Sequence, residues 1–323
     1  MQEARNIPLG VYDIIILGGG PAGLTAGLYS SRARMNTLLL ESLSVMSQAA
    51  MTETIENYPG VLKTGGIELL ETFKKQAETF GLESKQATAK SISQKNKGDI
   101  SLWQVEDDAG GVHEALSVII ATGASPKKLN IPGEEEFIGR GVSYCATCDA
   151  AFFRDKEVVV VGGGDAAVEE ALFLTRFSSK VTLIHRRDRL RAAKILQERA
   201  LSNNKMVFVW ESVVEKIEGD NKVEKVTVRN IKTGKTEDIS CDGVFIFVGW
   251  KPNTDFAKGA VEINEKGCIV VDGDMKTSAL GVFAAGDCCK KLLHQVITAC
   301  GDGATAAVSA EHHAERVKGT IYE

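Results

Sequence analysis

Two cysteines separated by two residues are the part of this sequence best suited to redox chemistry. Cys145-Ala-Thr-Cys148 is the one chemically meaningful spacing among seven cysteines, and Asp149 follows it directly. Two thiols at this spacing on a first helical turn can close a small, reducible disulfide, and a helix N-terminus lowers the pKa of the thiol facing it. Asp149 can serve as proton donor and acceptor during thiol exchange. The pattern predicts a redox dithiol, with an inert pair of buried cysteines as the alternative.

The other cysteines favour neither a metal site nor an extracellular disulfide framework. A structural zinc site normally takes a second pair of ligands, whereas Cys288 and Cys289 are adjacent and the His312-His313 pair has no cysteine nearby. The N-terminus lacks the apolar core of a signal peptide, and no stretch approaches the roughly 18 apolar residues that cross a bilayer. We therefore expect no metal, no membrane segment and a cytoplasmic location.

A glycine-rich turn near the start of the chain has the pattern that binds dinucleotide phosphates. The apolar run 13–17 leads into Gly-Gly-Gly-Pro-Ala-Gly at 18–23, which precedes a helical stretch and a second apolar run. In such a unit Gly18 permits the tight turn, Gly20 lets the backbone approach the pyrophosphate, and Gly23 lets the helix pack on the strand. The phosphates then lie at the helix N-terminus, where unpaired N–H groups and the helix dipole favour anions.

The same plan occurs again in the middle of the chain. The apolar run 157–161 is followed by Gly-Gly-Gly-Asp-Ala-Ala at 162–167, in which Gly162, Gly164 and Ala167 take the three places. A loop that merely connects a strand to a helix is the alternative for either copy. Two copies in register make that alternative the weaker interpretation.

The two copies differ at the end of the second strand. The first copy ends in Glu41, and a carboxylate there accepts hydrogen bonds from a ribose diol. The second ends in His185, Arg186 and Arg187, with Arg191 one turn further, and such cations can pair with a 2′-phosphate. The first copy is therefore predicted to bind a nucleotide with a free ribose and the second NADPH. A solvated charged face is the alternative for the basic cluster.

Length and composition agree with an α/β protein of about two domains. The chain has 323 residues, of which 44% are hydrophobic and 25% charged, and these values exclude a disordered chain. A net charge of −5 offers no global basic field for nucleic acid or an anionic membrane. Apolar spacing predicts an amphipathic helix over 68–80, strands at 100–105, 114–121 and 244–248, and a closing helix from about residue 295.

Taken together, the motifs closely resemble those of the low-molecular-weight NADPH-dependent thioredoxin reductases of bacteria and archaea. The resemblance covers residues 12–314 and rests on nine stretches: GGGPAG (18–23), IENYPG (55–60), ATGA (121–124), GRGVSYCATCD (139–149), GGGDAA (162–167), HRRDRLR (185–191), GWKPNT (249–254), GVFAAGD (281–287) and HQVITACGDGATAA (294–307). It implies an FAD flavoprotein in which NADPH reduces FAD, FAD reduces the Cys145–Cys148 disulfide, and the dithiol reduces thioredoxin.

The resemblance also implies the domain organisation. Two Rossmann-like domains of the three-layer ββα type are expected, with an NADPH-binding domain inserted in a discontinuous FAD-binding domain. The FAD domain is expected at residues 1–124 and 254–323, and the NADPH domain, which carries the dithiol, at 125–253. A homodimer is expected as well.

The site residues carried over from the family fall into two groups. In the FAD site, Gln48 and Asn57 match residues beside the isoalloxazine ring and Asp287 matches the aspartate on the ribitol side, while Cys148 is the cysteine nearer the flavin. The FAD set is Gly18, Gly20, Gly23, Glu41, Gln48, Asn57, Thr122, Gly123, Asp287, His294 and Gln295. The NADPH set is Gly162, Gly164, Ala167, His185, Arg186, Arg187 and Arg191.

Two departures from the family pattern fall in segments expected to touch FAD. Met46-Ser47 stand where the family usually has Gly-Gly, and His294 stands where it usually has Arg. Both departures bear on the environment and the reduction potential of the flavin. A surface histidine at a helix start is the alternative for His294.

Two other functions fit the same motifs. The flavoprotein could serve a different acceptor, such as a glutaredoxin-like protein, a peroxiredoxin system or oxygen. A nucleotide-sensing protein whose dithiol is a regulatory switch without turnover belongs to a different class. Sustained oxidation of NADPH in the presence of thioredoxin separates these possibilities.

Overall fold

The computed structural model describes residues 7–42, 47–52, 55–98 and 100–320. By contacts the chain divides into two compact units, one formed by the chain up to Ser125 together with the chain from Lys251, the other by Pro126–Trp250. The expected boundaries, after residues 124 and 253, differ from these by one and three residues. Which cofactor each unit binds remains a prediction.

The first unit begins with a strand, a helix and a strand, as the first glycine motif predicts. Its N-terminal part contains β1 (Val11–Leu17), α1 (Pro21–Arg32), β2 (Thr37–Glu41), α2 (Gly66–Thr79), β3 (Glu83–Gln86), β4 (Ala89–Lys97), β5 (Ile100–Asp107) and β6 (Val112–Ile120). The sheet order is β3-β2-β1-β6-β5-β4. Strands β3, β2, β1 and β6 are parallel, whereas β4, β5 and β6 form an antiparallel meander.

The second unit repeats this plan with a separate second sheet. After β7 (Ala124–Pro126) it contains β8 (Val142–Ser143), α3 (Ala146–Asp149), β9 (Glu157–Gly162), α4 (Asp165–Leu174), β10 (Lys180–Ile184), α5 (Lys194–Leu201), β11 (Met206–Val209), β12 (Ser212–Gly219), β13 (Val223–Asn230), β14 (Thr236–Ser240) and β15 (Gly243–Phe247). The parallel sheet has the order β11-β10-β9-β15-β8, and β12-β13-β14 form an antiparallel sheet.

The chain then returns to the first unit through β16 (Trp250–Pro252), β17 (Val282–Ala284) and α6 (Val296–Lys318). Strand β17 pairs with β6 in parallel, and the two connecting strands, β7 and β16, pair with each other. Helix α6 packs closely on α1, because a Cβ atom added to Gly303 would lie 2.1 Å from the carbonyl oxygen of Ala22. In the described part of the chain, no helix has the length and apolar character needed to cross a membrane.

Each central strand is buried on both faces, as expected where parallel strands are covered on both sides. In β1, Ile14 and Ile16 pack with α1, α2 and α6, whereas Ile15 and Leu17 pack with β4, β5 and the segment 257–289. In β9, Val158 and Val160 pack with α4, and the alternating valines pack against β12 and β13. Each unit therefore has helices on one side of a central sheet and β structure on the other, which confirms the α/β fold class with its ββα layers.

Candidate functional site

The two cysteines of the predicted dithiol form a disulfide at the start of a very short helix. Cys145 caps the N-terminus of α3, its Cα atom lies 5.4 Å from that of Cys148, and their sulfurs are bonded. The backbone N–H of Cys148 donates to Sγ of Cys145 at 3.2 Å. Cys145 is half-buried and Cys148 is exposed. A thiol or thiolate from outside can therefore approach this disulfide.

The strand before the helix fixes the position of Cys145. Oγ of Ser143, in β8, accepts from the N–H of Cys145 at 3.0 Å and donates to its carbonyl oxygen at 3.1 Å. Oγ1 of Thr147 lies 3.3 Å from Sγ of Cys145. Asp149 is the last residue of α3 and is half-buried, so its carboxyl lies on the helix that carries both cysteines. Its part in proton transfer remains a prediction.

The first glycine turn has no room for side chains on the side facing the sheet. Gly18 has φ +115°, and a Cβ atom there would lie 2.3 Å from the carbonyl oxygen of Ala121. A Cβ atom on Gly23 would lie 1.8 Å from the carbonyl oxygen of Gly18, and Gly20 is the N-cap of α1. The turn thus brings bare backbone to the N-terminus of a helix, which is the geometry that receives a pyrophosphate.

Glu41 lies beside that turn although it is far from it in sequence. A Cβ atom added to Gly19 would lie 2.6 Å from Oε2 of Glu41, so the carboxylate reaches the edge of the turn. Lys74, in α2, forms an ion pair with the same carboxylate. Lys74 has no distinguishing signal in the sequence, since amphipathic helices normally carry such lysines. This arrangement fits a ribose diol next to a bound pyrophosphate.

The second turn repeats the three leading glycines of the first and has alanine in the place of the last glycine. Gly162 has φ +156°, and a Cβ atom there would lie 2.4 Å from the carbonyl oxygen of Phe247 and 2.6 Å from Cβ of Ala167. Ala167 is buried and takes the place that Gly23 has in the first copy. Gly164 is the N-cap of α4. The second turn therefore also brings bare backbone to a helix N-terminus.

The basic cluster is attached to this second turn. The N–H of Arg191 donates to the carbonyl oxygen of Gly163 at 2.7 Å, and Arg186 and Arg187 are exposed. A Cβ atom on Gly164 would lie 3.8 Å from Nη2 of Arg191. The structure thus brings the guanidinium of Arg191 close to the predicted pyrophosphate position, with the two exposed arginines at the end of β10.

His185 differs from the arginines that follow it because it is 95% buried, at 5% relative exposure. Its ring would lie 2.4 Å from a Cβ atom on Gly163, and Nε2 has no hydrogen-bond partner within the described ranges. Burial, followed by the charges of Arg191 and Arg187, lowers the pKa of this imidazole. His185 is therefore held neutral against the glycine turn, and its unpaired nitrogen is a buried polar atom consistent with a ligand-binding site.

Several predicted flavin residues in the first unit are brought together. Nδ2 of Asn57 donates to Oε1 of Gln295 at 2.9 Å, and Gln295 is the N-cap of α6. Nδ1 of His294 lies 3.4 Å from Oδ1 of Asp287. His294, one of the two departures from the family pattern, therefore lies beside Asp287, a predicted flavin ligand.

Gln48 and Thr122, two further predicted flavin residues, donate hydrogen bonds to backbone carbonyl oxygens of this unit. Nε2 of Gln48 donates to the carbonyl oxygen of Ala124 at 3.1 Å, and Oγ1 of Thr122 donates to the carbonyl oxygen of Asn253 at 2.6 Å. Asn253 also donates its backbone N–H to the carbonyl oxygen of Gly123. Asn253 belongs to the GWKPNT stretch, whose sequence gives no sign of these hydrogen bonds to Thr122 and Gly123.

The other departure from the family pattern, Met46-Ser47, lies partly outside the described residues. Met46 belongs to a segment, 43–46, that the structure does not describe. Ser47 is described, and its Oγ would lie 3.4 Å from a Cβ atom on Gly20. The substitution of serine at position 47 is therefore next to the predicted phosphate turn.

Comparison with known proteins agrees with these features. Residues 12–303 match the family model described as pyridine nucleotide-disulphide oxidoreductase. The chain is 47% identical to a thioredoxin reductase of Peptoclostridium acidaminophilum over 94% of this chain and 98% of that protein. It is 46% identical to the thioredoxin reductase of Bacillus subtilis over 96% and 97%. The solved Lactococcus lactis thioredoxin reductase has a TM-score of 0.90 at 44% identity, with coverage of 94% and 99%. The chain therefore belongs to the pyridine nucleotide-disulphide oxidoreductase family and, within it, to the thioredoxin reductases.

Proposed function

We propose that this protein is an NADPH-dependent, FAD-containing enzyme that reduces the disulfide of thioredoxin. The observation on which this proposal rests is the reachable Cys145–Cys148 disulfide, which lies in the same unit as a glycine turn with exposed arginines beside it. A dithiol supplied with electrons by a nucleotide can reduce a protein disulfide. The similarity to thioredoxin reductases supports thioredoxin as the acceptor.

The first unit is the proposed FAD site. Its glycine turn would hold the pyrophosphate, Glu41 the ribose of the adenosine half, and Asp287 the ribitol side of the flavin. Gln48, Asn57 and Gln295 would lie near the ring, together with Thr122, Gly123 and His294. FAD supplies a group that accepts a hydride from a nicotinamide and delivers two electrons to a disulfide. The glycine turn fits such a cofactor, since Gly18 and Gly23 leave no room for larger side chains.

The second unit is the proposed NADPH site. The turn at 162–164 and the N-terminus of α4 would bind the pyrophosphate, and Ala167 would allow the helix to pack closely on the sheet. Arg186, Arg187 and Arg191 would bind the 2′-phosphate, because a guanidinium can donate two parallel hydrogen bonds to a phosphate. The neutral, buried His185 would pack beside the turn and would supply no charge to the phosphates.

The chemistry assigned to this chain's own residues is a two-electron disulfide exchange. Two electrons and two protons convert the Cys145–Cys148 disulfide to two thiols. One thiolate then attacks a sulfur of the acceptor disulfide and forms a mixed disulfide, from which the second thiolate releases the reduced acceptor and restores the Cys145–Cys148 bond. Asp149 would take up and return protons at the sulfurs. The protein would act in the cytoplasm as a homodimer.

A steady-state assay tests this proposal. The purified protein is mixed with NADPH and oxidised thioredoxin, and absorbance at the nicotinamide band is followed. We expect oxidation of many equivalents of NADPH per protein, which requires thioredoxin and stops when it is exhausted. Oxidation that proceeds equally without thioredoxin and consumes oxygen would favour an oxygen acceptor. A single stoichiometric reduction would favour the sensor alternative.

A further inference from the structure

A carboxylate at the start of α4 holds the segment that carries Arg191. Oδ1 of Asp165, the first residue of α4, accepts from the backbone N–H of Ala193 at 2.6 Å. The two residues are 28 positions apart in sequence, so this contact joins the second glycine turn to the end of the basic segment. Asp165 lies within the GGGDAA motif, but the dinucleotide pattern assigns no role to its position.

The same turn also holds the basic segment at a second point. The backbone N–H of Arg191 donates to the carbonyl oxygen of Gly163 at 2.7 Å. Gly163 and Asp165 lie on either side of Gly164, the N-cap of α4, so two hydrogen bonds fasten the segment across this one residue. The turn that would receive the pyrophosphate therefore also fixes the backbone of an arginine proposed to bind the 2′-phosphate.

The hydrogen bond to Asp165 acts at an exposed part of this segment. Ala193 is exposed and is the N-cap of α5, and its methyl group cannot accept a hydrogen bond from the helix. Leu190 and Ala192 are buried in the same core as α4, which anchors their side chains. Arg191 lies between these two anchors and is exposed, so the direction of its side chain depends on how the backbone on either side is held.

The rest of the basic segment is held by contacts that do not involve Asp165. The carbonyl oxygen of Arg187 accepts from the N–H of Glu211 at 3.1 Å. The carbonyl oxygen of Ala192 accepts from Nε2 of Gln197 at 2.6 Å. Loss of the Asp165 hydrogen bond is therefore expected to displace Arg191 in part and to leave the other predicted phosphate ligands in place.

We propose that Asp165 is a positioning residue for coenzyme selectivity, whose hydrogen bond to Ala193 holds Arg191 where it can bind the 2′-phosphate of NADPH. The inference rests on the proposed function, since it applies only if the second glycine turn binds NADPH. A nucleotide without the 2′-phosphate has no group for Arg191 to bind there. The Asp165 hydrogen bond therefore sets the preference between the two nucleotides rather than the affinity for both.

The test compares 2′-phospho-ADP-ribose with ADP-ribose, which differ only in the 2′-phosphate and transfer no hydride. Binding to the full-length protein saturated with FAD is measured by isothermal titration calorimetry. Asp165→Ala removes the acceptor, and its preference for the 2′-phosphorylated nucleotide should be about three- to tenfold lower than that of the wild type. The loss is partial because one of three arginines is displaced and the other two stay in place.

The matched control is Asp165→Asn, whose side-chain oxygen can still accept from Ala193 although the charge is lost as in Asp165→Ala. It should keep the wild-type preference. A loss of preference as large as in Asp165→Ala would mean that the charge and not the hydrogen bond matters, and would overturn the proposal. An unchanged preference in Asp165→Ala would overturn it too, as would equal weakening of both nucleotides, which would indicate a purely structural role.

A second variant, Ala193→Pro, covers the case in which Asp165→Ala does not fold. Ala193 has φ −53°, a value that proline adopts, and proline removes the N–H donor while Asp165 keeps its charge. The same loss of preference is expected, and a wild-type preference in this variant would contradict the proposal. A wild-type protein that does not prefer the 2′-phosphorylated nucleotide would contradict the NADPH assignment itself, so the two failures can be told apart.

Discussion

Changing either cysteine of the dithiol to serine is expected to lower thioredoxin reduction by more than about 1,000-fold, as for residues that act as one catalytic unit. Both sulfurs are needed, since one forms the mixed disulfide and the other resolves it. Reduction of the flavin by NADPH needs no thiol, so Cys145→Ser and Cys148→Ser should retain the cofactor, and NADPH should still bleach its absorbance. The two half-reactions are measured separately, by stopped-flow absorbance and by thioredoxin reduction.

Two other cysteines provide the controls for this experiment. Burial raises the pKa of the Cys241 thiol to about 12, which leaves it unreactive near neutral pH. Cys268 is half-buried, and neither forms a disulfide in the structure of the described residues. Cys241→Ser and Cys268→Ser should keep most of the turnover rate. Substantial thioredoxin reduction by Cys145→Ser or Cys148→Ser would show that electrons leave the protein by another route.

The second large effect is expected at the basic cluster. A hydrogen bond to a charged group contributes about 1.5–3 kcal/mol. Loss of two arginine contacts should therefore weaken NADPH binding by at least a hundredfold, on the order of 3 kcal/mol or more. NADH lacks the 2′-phosphate, so its binding should weaken only a few-fold. The double variant Arg186→Ala, Arg187→Ala is compared with the wild type by kcat/KM for each coenzyme.

Arg189→Ala is the matched control, since it removes one exposed cation from the same segment outside the predicted phosphate contacts. It should retain NADPH preference to within a few-fold. Equal weakening of NADPH and NADH in the double variant would indicate a general electrostatic effect and would leave the cluster as a solvated charged face. A wild-type protein that prefers NADH would also contradict the assignment.

The sequence predicted the elements that carry regular patterns. The runs 13–17 and 157–161 are β1 and β9, and the glycine motifs lie between strand and helix as expected. The helix predicted over 68–80 is α2, which begins two residues earlier and ends one residue earlier. These elements have buried faces, so their apolar spacing is visible in the sequence alone.

Other strands could not be read from the sequence in the same way. Strand β4 has one buried residue, Ile92, among polar neighbours, and β3 is exposed throughout. Their strand conformation depends on pairing with β5 and β2, which supply hydrogen bonds that no local pattern reveals. The strand conformation of these two segments therefore depends on pairing in the folded structure rather than on local propensity.

Site residues were predicted where a motif fixes their spacing and were missed where a distant side chain completes the site. Cys145 and the glycine turns belong to compact motifs. Lys74 lies on a helix that also carries other lysines and glutamates, and it is recognised only because it contacts Glu41 in three dimensions. A single sequence carries no signal for such contacts.

The most direct test of the account is the ratio of thioredoxin thiols formed to NADPH consumed during multiple turnover. The protein, with bound FAD, is given limiting NADPH and excess oxidised thioredoxin under nitrogen, and the new thiols are counted with a chromogenic disulfide reagent after acid quenching. We predict two thiols for each NADPH, with NADPH in large excess over the protein, because one hydride supplies the two electrons of one disulfide. NADPH that is consumed without formation of thioredoxin thiols, or reduction that stops after one equivalent per protein, would contradict it.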